Sequence, residues 1–153
     1  MLRLLRSLRK NDKEARILVL GLDNAGKTTI LKALSQEDIT TIMPTQGFNI
    51  KALSQEGFKL NVWDIGGQQA IREYWPNYFD GTDGLVYVVD SSDQMRLEEC
   101  QKELGLLLVN EQLKTVPLLV FANKQDLQFA LEAEEVMKTL KLADIGDRMW
   151  NIQ

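Results

Sequence analysis

The 153-residue chain contains no histidine. That excludes imidazole acid–base catalysis and every histidine-based metal site. It contains one cysteine, Cys100. No internal disulfide can form, which favours a reducing compartment. No apolar run approaches the roughly 18 residues of a membrane-spanning helix. Hydrophobic residues make up 44% and charged residues 26%, which excludes disordered, collagen-like and low-complexity classes. The length fits one domain, and such a domain can bury about 68–70% of its unfolded surface without staples.

A broad basic surface is also missing. The net charge is −4, yet the first ten residues carry Arg3, Arg6, Arg9 and Lys10 with no acid. The remaining 143 residues therefore carry a net −8. An acidic body excludes a general nucleic-acid binder. The basic arm is a separate signal. Leu2, Leu4, Leu5 and Leu8 share one helical face, and Arg3, Arg6 and Lys10 take the other. The pattern predicts a basic amphipathic helix over residues 1–12, with the main domain at 13–153. The arm fits peripheral contact with a membrane surface through residues 1–10, and equally a helix packed in a groove of its own domain. It is too short and too charged for a signal peptide. Leu2 stands where N-myristoylation needs glycine.

Ile17-Leu18-Val19-Leu20 reads as a strand buried on both faces, ending at Gly21. Lys27 to Leu34 reads as a helix. Phe48 to Leu53 and Phe58 to Trp63 alternate apolar and polar residues around Gln55-Glu56-Gly57, which predicts a hairpin. Leu85 to Val89 and Leu118 to Ala122 are further buried strands. Arg96 to Val109 and Leu131 to Leu140 read as amphipathic helices, and Met149 to Gln153 begins a last strand. This alternation predicts an α/β fold: a mostly parallel twisted sheet with helices on both faces. Lys-Ala-Leu-Ser-Gln-Glu occurs at 32–37 and again at 51–56. The first copy continues a helix and the second lies in a strand and turn, so it is a coincidence rather than a repeat. Cys100 has no basic or histidine neighbour in the sequence and reads as packing.

Gly21-Leu22-Asp23-Asn24-Ala25-Gly26-Lys27-Thr28 matches the phosphate-loop pattern G-x-x-x-x-G-K-[ST]. It lies between a strand and a helix, as the mechanism requires. Its backbone N–H groups and the positive end of the following helix, which continues into Thr29, favour phosphate. Lys27 suits the outer phosphates and Thr28 a Mg²⁺ ion. Asn123-Lys124-Gln125-Asp126 follows a later strand. A carboxylate at Asp126 can accept from both N1–H and the exocyclic amine of guanine; adenine offers neither, so Asp126 would stay unpaired. Asn123 fixes the loop and the base edge, and the stem of Lys124 can cover the base. Asp64-Ile65-Gly66-Gly67-Gln68 follows another strand. Asp64 suits Mg²⁺ through a water, the Gly67 N–H suits a γ-phosphate, and Gln68 suits the attacking water. Thr45 lies in a loop from which its hydroxyl completes the Mg²⁺ shell. These residues predict GTP and GDP as ligands with Mg²⁺. The alternatives are a binding module with impaired nucleotide affinity, and a P-loop kinase or ATPase, which Asp126 disfavours.

These motifs, with Pro44-Thr45-Gln46-Gly47-Phe48-Asn49 and Trp63-Asp64-Ile65-Gly66-Gly67-Gln68, resemble those of the ADP-ribosylation-factor-like small GTPases along essentially the whole chain. The resemblance implies the P-loop small-GTPase fold and slow GTP hydrolysis that an activating protein accelerates. It implies catalytic roles for Gln68, Lys27 and Thr45. It also implies a nucleotide-driven shift of the hairpin that releases the N-terminal helix. Phe48, Trp63 and Tyr78 match the aromatic trio that effectors read. The implied partners are carriers of lipid-modified cargo, an activating protein and an exchange factor. The implied places are the cytoplasm, membrane surfaces, the Golgi, the centrosome and the cilium. Asp23 stands where many small GTPases carry glycine. The family pattern continues beyond Gln153 with a guanine-contacting loop and a final helix, so the last strand is expected to be incomplete and one sheet face partly bare.

Overall fold

The structure is a computed structural model that describes residues 14–37, 40, 45, 47–55 and 57–153. The expected N-terminal helix, together with Pro44, Gln46 and Glu56, lies outside the described residues. The strands are β1 (Glu14–Leu20), β2 (Phe48–Gln55), β3 (Phe58–Ile65), β4 (Gly84–Asp90), β5 (Leu118–Asn123) and β6 (Trp150–Ile152). The helices are α1 (Lys27–Leu34), α2 (Gln69–Arg72), α3 (Leu97–Leu108) and α4 (Ala133–Thr139), with short 3₁₀ turns between them.

The strands form one sheet in the order β2-β3-β1-β4-β5-β6. The β2–β3 hairpin is antiparallel, with Phe48 opposite Ile65 and Gln55 opposite Phe58. Every other pair is parallel. The chain leaves β1 toward one side of the sheet and later returns to build β4 on the other side. That reversal opens a crevice at the C-terminal end of β1, where doubly wound sheets bind ligands.

Alternation within each strand divides the core in two. Leu18, Leu20, Leu85, Tyr87 and Val120 face Leu97, Cys100 and Leu104 of α3 and Val136 and Leu140 beside α4. Ile17, Val19, Val62, Val86 and Leu119 face the opposite side with Leu31 of α1. One sheet face was expected to be partly bare. The floor of this second face is buried, and an apolar groove lies over it with Ile30, Leu34, Leu53 and Phe121 along its lining. Among the described residues no helix is long and apolar enough to cross a membrane.

Several boundaries move. The predicted helix from Arg96 to Val109 begins as a 3₁₀ turn at Gln94–Arg96 and turns α-helical only at Leu97. The predicted helix from Leu131 to Leu140 narrows to Ala133–Thr139, because Glu135 Oε2 accepts the Glu132 backbone N–H at 3.0 Å and caps it there. Residues 32–34 are helical while their copies 51–53 are strand, held by pairing with Leu60, Asn61 and Val62. Tertiary pairing overrides the shared local preference. Cys100 does have cationic neighbours, Arg96 and Arg72, which pull its pKa down. Burial outweighs them and pushes the thiol up to about 12, so it is packing, as the sequence suggested.

Leu104 is 1% exposed at the centre of the larger cluster. Leu104→Ala is expected to cost about 2–5 kcal/mol. Urea unfolding would report this as a lower midpoint at unchanged slope.

Candidate functional site

The loop after β1 is the first component. Gly26 has φ +99°, and a Cβ there would lie 2.3 Å from Asn123 Nδ2. Only glycine accommodates both the turn and that approach. Asn123 Nδ2 donates to Ala25 O at 2.9 Å, so the loop after β5 braces the loop after β1. Lys27 begins α1 and is 6% exposed. Its Nζ donates to Gly21 O at 3.1 Å and Leu22 O at 2.9 Å. Burial lowers its pKa to about 8, although Asp64 and Asp23 pull it back upward.

Thr28, Thr45 and Asp64 meet beside that lysine. Thr28 Oγ1 lies 2.7 Å from Thr45 Oγ1 and donates to Asp64 Oδ2 at 2.5 Å. Asp64 is fully buried. Burial raises its pKa, opposed by hydrogen bonds from Thr28, Asn49 and Thr45 and by the charge of Lys27. Its Oδ1 is buried with no hydrogen-bond partner among the described residues. A buried, unpartnered carboxylate oxygen is costly unless it serves a ligand. One carboxylate and two hydroxyls are hard oxygen donors, and a single carboxylate completed by ligand phosphates suits Mg²⁺. The residues therefore fit that ion. No group of three or more Asp, Glu, Cys or His side chains suited to a metal exists among the described residues, which is consistent with a metal held largely by its ligand.

The segment after β3 closes the site. A Cβ on Gly67 would fall 2.2 Å from Gly21 O and 2.5 Å from Asp23 N. The Gly67 backbone thus lies directly against the first loop, which any side chain would prevent. Gln68 precedes α2 and places near Gly66 a buried Oε1 that has no hydrogen-bond partner among the described residues. The structure brings Lys27, Thr28, Thr45, Asp64, Gly67 and Gln68 into one crevice.

The four-residue loop from Asn123 is tied to the end of β4. Lys124 has φ +63°, and its Nζ pairs with Asp90 Oδ2 at 2.9 Å. Burial pushes the Asp90 carboxyl up, but hydrogen bonds from Ser92 and Lys124 outweigh it and hold the pKa below its ordinary value. The ammonium of Lys124 is therefore anchored at the end of β4. Asp126 is exposed. Phe48, Trp63 and Tyr78 do form one cluster. Their centroids are 5.6, 5.5 and 6.1 Å apart, and Phe48 is 47% exposed.

Five residues of the site had been given no role from the sequence. Arg96 grips Asp23 through Nη1 at 2.8 Å to Oδ1 and Nη2 at 2.7 Å to its carbonyl. Arg72 Nε donates to Gly67 O at 2.8 Å, and its Nη2 reaches Asp23 Oδ1 at 3.5 Å. Burial opposes ionisation of Asp23, but Arg96 wins and holds its pKa below the ordinary value. Trp75 Nε1 donates to Gly66 O at 2.9 Å. Asn49 sits opposite Asp64 in the hairpin. Arg16 stacks 4.0 Å over Trp63. The acidic Asp23 in a phosphate loop was the one available signal that a cation must lie near it.

The profile of the ADP-ribosylation factor family matches residues 1–153. ADP-ribosylation factor-like protein 3 of Chlamydomonas reinhardtii is 66% identical over 153 residues, which is 100% of this chain and 86% of that protein. ADP-ribosylation factor-like protein 2 of Drosophila melanogaster is 56% identical over 149 residues, covering 97% of this chain and 81% of that protein. The Arl6 BBS3 small GTPase from Trypanosoma brucei, solved with the nucleotide analogue GppNp, superposes with a TM-score of 0.83 at 33% identity, covering 91% of this chain and 84% of that one. The chain belongs to the ADP-ribosylation factor family of small GTPases and is a GTP-binding, GTP-hydrolysing protein of the Arf-like type.

Proposed function

We propose that the crevice at the end of β1 binds GTP with Mg²⁺ and hydrolyses it, and that Asp126 selects guanine. The observation that carries this is the meeting of the Thr28 and Thr45 hydroxyls with the buried Asp64, one oxygen of which has no partner among the described residues. Thr28, Thr45 and Asp64 would hold Mg²⁺, which supplies positive charge beside the phosphates. Residues 21–29 wrap the phosphates. Lys27 spends two of its three protons on loop carbonyls, and the third suits an outer phosphate oxygen. Gly67 N–H donates to the γ-phosphate, so the segment after β3 senses whether that group is there. Gln68 Oε1 accepts a hydrogen bond from the attacking water and aligns it with the γ-phosphorus. Catalysis is then positioning and electrostatics, and the protein forms no covalent bond to phosphate.

The same switch sets partner binding. The exposed part of the Phe48–Trp63–Tyr78 cluster borders the hairpin that carries Asn49 and Asp64. Effectors that read this cluster distinguish the two nucleotide states. Carriers of lipid-modified cargo are the proposed effectors, together with an activating protein and an exchange factor. The cytoplasm, with contact at Golgi, centrosomal or ciliary membranes through residues 1–10, is the proposed location.

Gln68→Leu should leave GTP affinity within a few-fold and lower activator-stimulated hydrolysis by about 100-fold or more. Single-turnover phosphate release measures this, and undiminished hydrolysis would remove Gln68 from its role. A second test uses Lys27. The folded pKa of about 8 lies below the ordinary 10.5. Between these values the unfolded chain holds a proton that the folded chain has released, so the stability of the nucleotide-free protein should rise with pH there. A bound phosphate restores the charged form. At pH 8 nucleotide binding should therefore take up about half a proton. Titration calorimetry in two buffers of different ionisation enthalpy would show it, and Lys27→Met should abolish it.

A further inference from the structure

Gly67 is flanked by two carbonyls, and a side chain from outside the motifs holds each one. Trp75 opens the 3₁₀ turn Trp75–Tyr78 and is 2% exposed. Its indole N–H donates to Gly66 O at 2.9 Å. Arg72 is 8% exposed, and its Nε donates to Gly67 O at 2.8 Å. The guanidinium is itself fixed by Glu99 at 2.5 Å and Asp23 at 3.5 Å. The Gly66 N–H donates to Gly47 O at 2.8 Å. Two glycines in sequence have little intrinsic preference for one conformation. Their order here comes from these three hydrogen bonds.

The peptide between Gly66 and Gly67 is planar and trans. Its C=O and its N–H point in opposite directions in one rigid unit. A donor that fixes the Gly66 carbonyl therefore fixes the direction of the Gly67 N–H. An indole N–H is a donor only, and once buried it needs an acceptor. Trp75 meets that need on the one peptide whose N–H would report a γ-phosphate.

We infer that Trp75, seconded by Arg72, is a positioning residue for the γ-phosphate response: its indole N–H holds the Gly66–Gly67 peptide in the orientation that donates to nucleoside triphosphate. This rests on the reading that the Gly67 N–H contacts the γ-phosphate. Trp75 acts through the peptide, to which its indole N–H donates. Its loss should lower affinity for the triphosphate and spare the diphosphate. A tryptophan that only filled the core would affect both nucleotides alike.

The test compares GppNHp and GDP affinities of the full chain in saturating Mg²⁺. Trp75→Phe keeps an aromatic ring but removes the donor. β-(3-Benzothienyl)alanine installed at position 75 keeps the indole shape and replaces only the N–H, so it decides the matter if Trp75→Phe folds poorly. Both are expected to weaken GppNHp about tenfold while GDP stays within about twofold, the size of a lost hydrogen bond that serves a charged group. Equal weakening of both nucleotides by the benzothienyl protein, or no weakening, would overturn the role of Trp75. Gly67→Ala separates the two layers. If it lowers the GppNHp-to-GDP preference while the position-75 proteins do not, Trp75 alone loses its role. If Gly67→Ala leaves the preference intact, the γ-phosphate reading of Gly67 fails and the inference falls with it.

Discussion

Burying a lysine and a carboxylate next to each other is the constraint around which this molecule is arranged. Lys27 is 6% exposed and Asp64 is fully buried. Each charge alone would be expensive in the interior, and removing either partner would strand the other. Their mutual attraction offsets part of that cost, and oxygen atoms supply the rest. Lys27 takes two loop carbonyls, and Asp64 takes the Thr28 hydroxyl. The arrangement depends on topology. Val19 of β1 is in register with Asp64 of β3, so the two strands end together and deliver the loop and the acid to the same point. The reversal of chain direction beside β1 keeps that point open to a ligand.

A second layer ties the phosphate loop to the segment that follows β3. Asp23 adds a negative charge to a loop suited to anions, which is unfavourable on its own. Arg96 and Arg72 neutralise it, and Arg72 also carries the Gly67 carbonyl. The same guanidinium contacts Glu99 and Glu103 on α3. Charge-assisted contacts through Arg72 therefore link Gly67 to the loop and to α3. Asn123 performs the analogous service from the other side of the sheet. The phosphate loop is braced by Arg72 of α2, Arg96 of the turn before α3 and Asn123 at the end of β5.

Much of this was legible before the structure. Runs such as Leu85–Val89 can only be strands covered on both faces, and their spacing between helical segments dictates a parallel sheet. The phosphate loop, Asp64, Gln68 and the Asn123–Asp126 loop are compact local patterns with a chemical purpose. The remainder was hidden because it depends on approach through space. Arg72 lies 49 residues from Asp23, and Arg96 lies 73 residues from it. No periodicity links them. Trp75 reads as one more core aromatic until its N–H is seen on Gly66 O. Asn49 becomes relevant only once the hairpin register sets it opposite Asp64. The pairing of the Lys124 ammonium with Asp90 at the end of β4 likewise depends on approach through space. Helix ends also moved, since Glu132 and Glu135 formed a cap from residues that are ordinary helix formers elsewhere.

The proposed role of Asp64, with Thr28 and Thr45, is to hold Mg²⁺ against a bound guanine nucleotide. Asp64→Asn preserves the size of the side chain and removes its charge. The decisive measurement is GppNHp affinity for native and Asp64→Asn proteins across a Mg²⁺ titration. The native protein should require Mg²⁺ for tight binding, and Asp64→Asn should need about 10- to 100-fold more of it. An unchanged Mg²⁺ dependence in Asp64→Asn would contradict the account, because the buried carboxylate would then have no metal to serve.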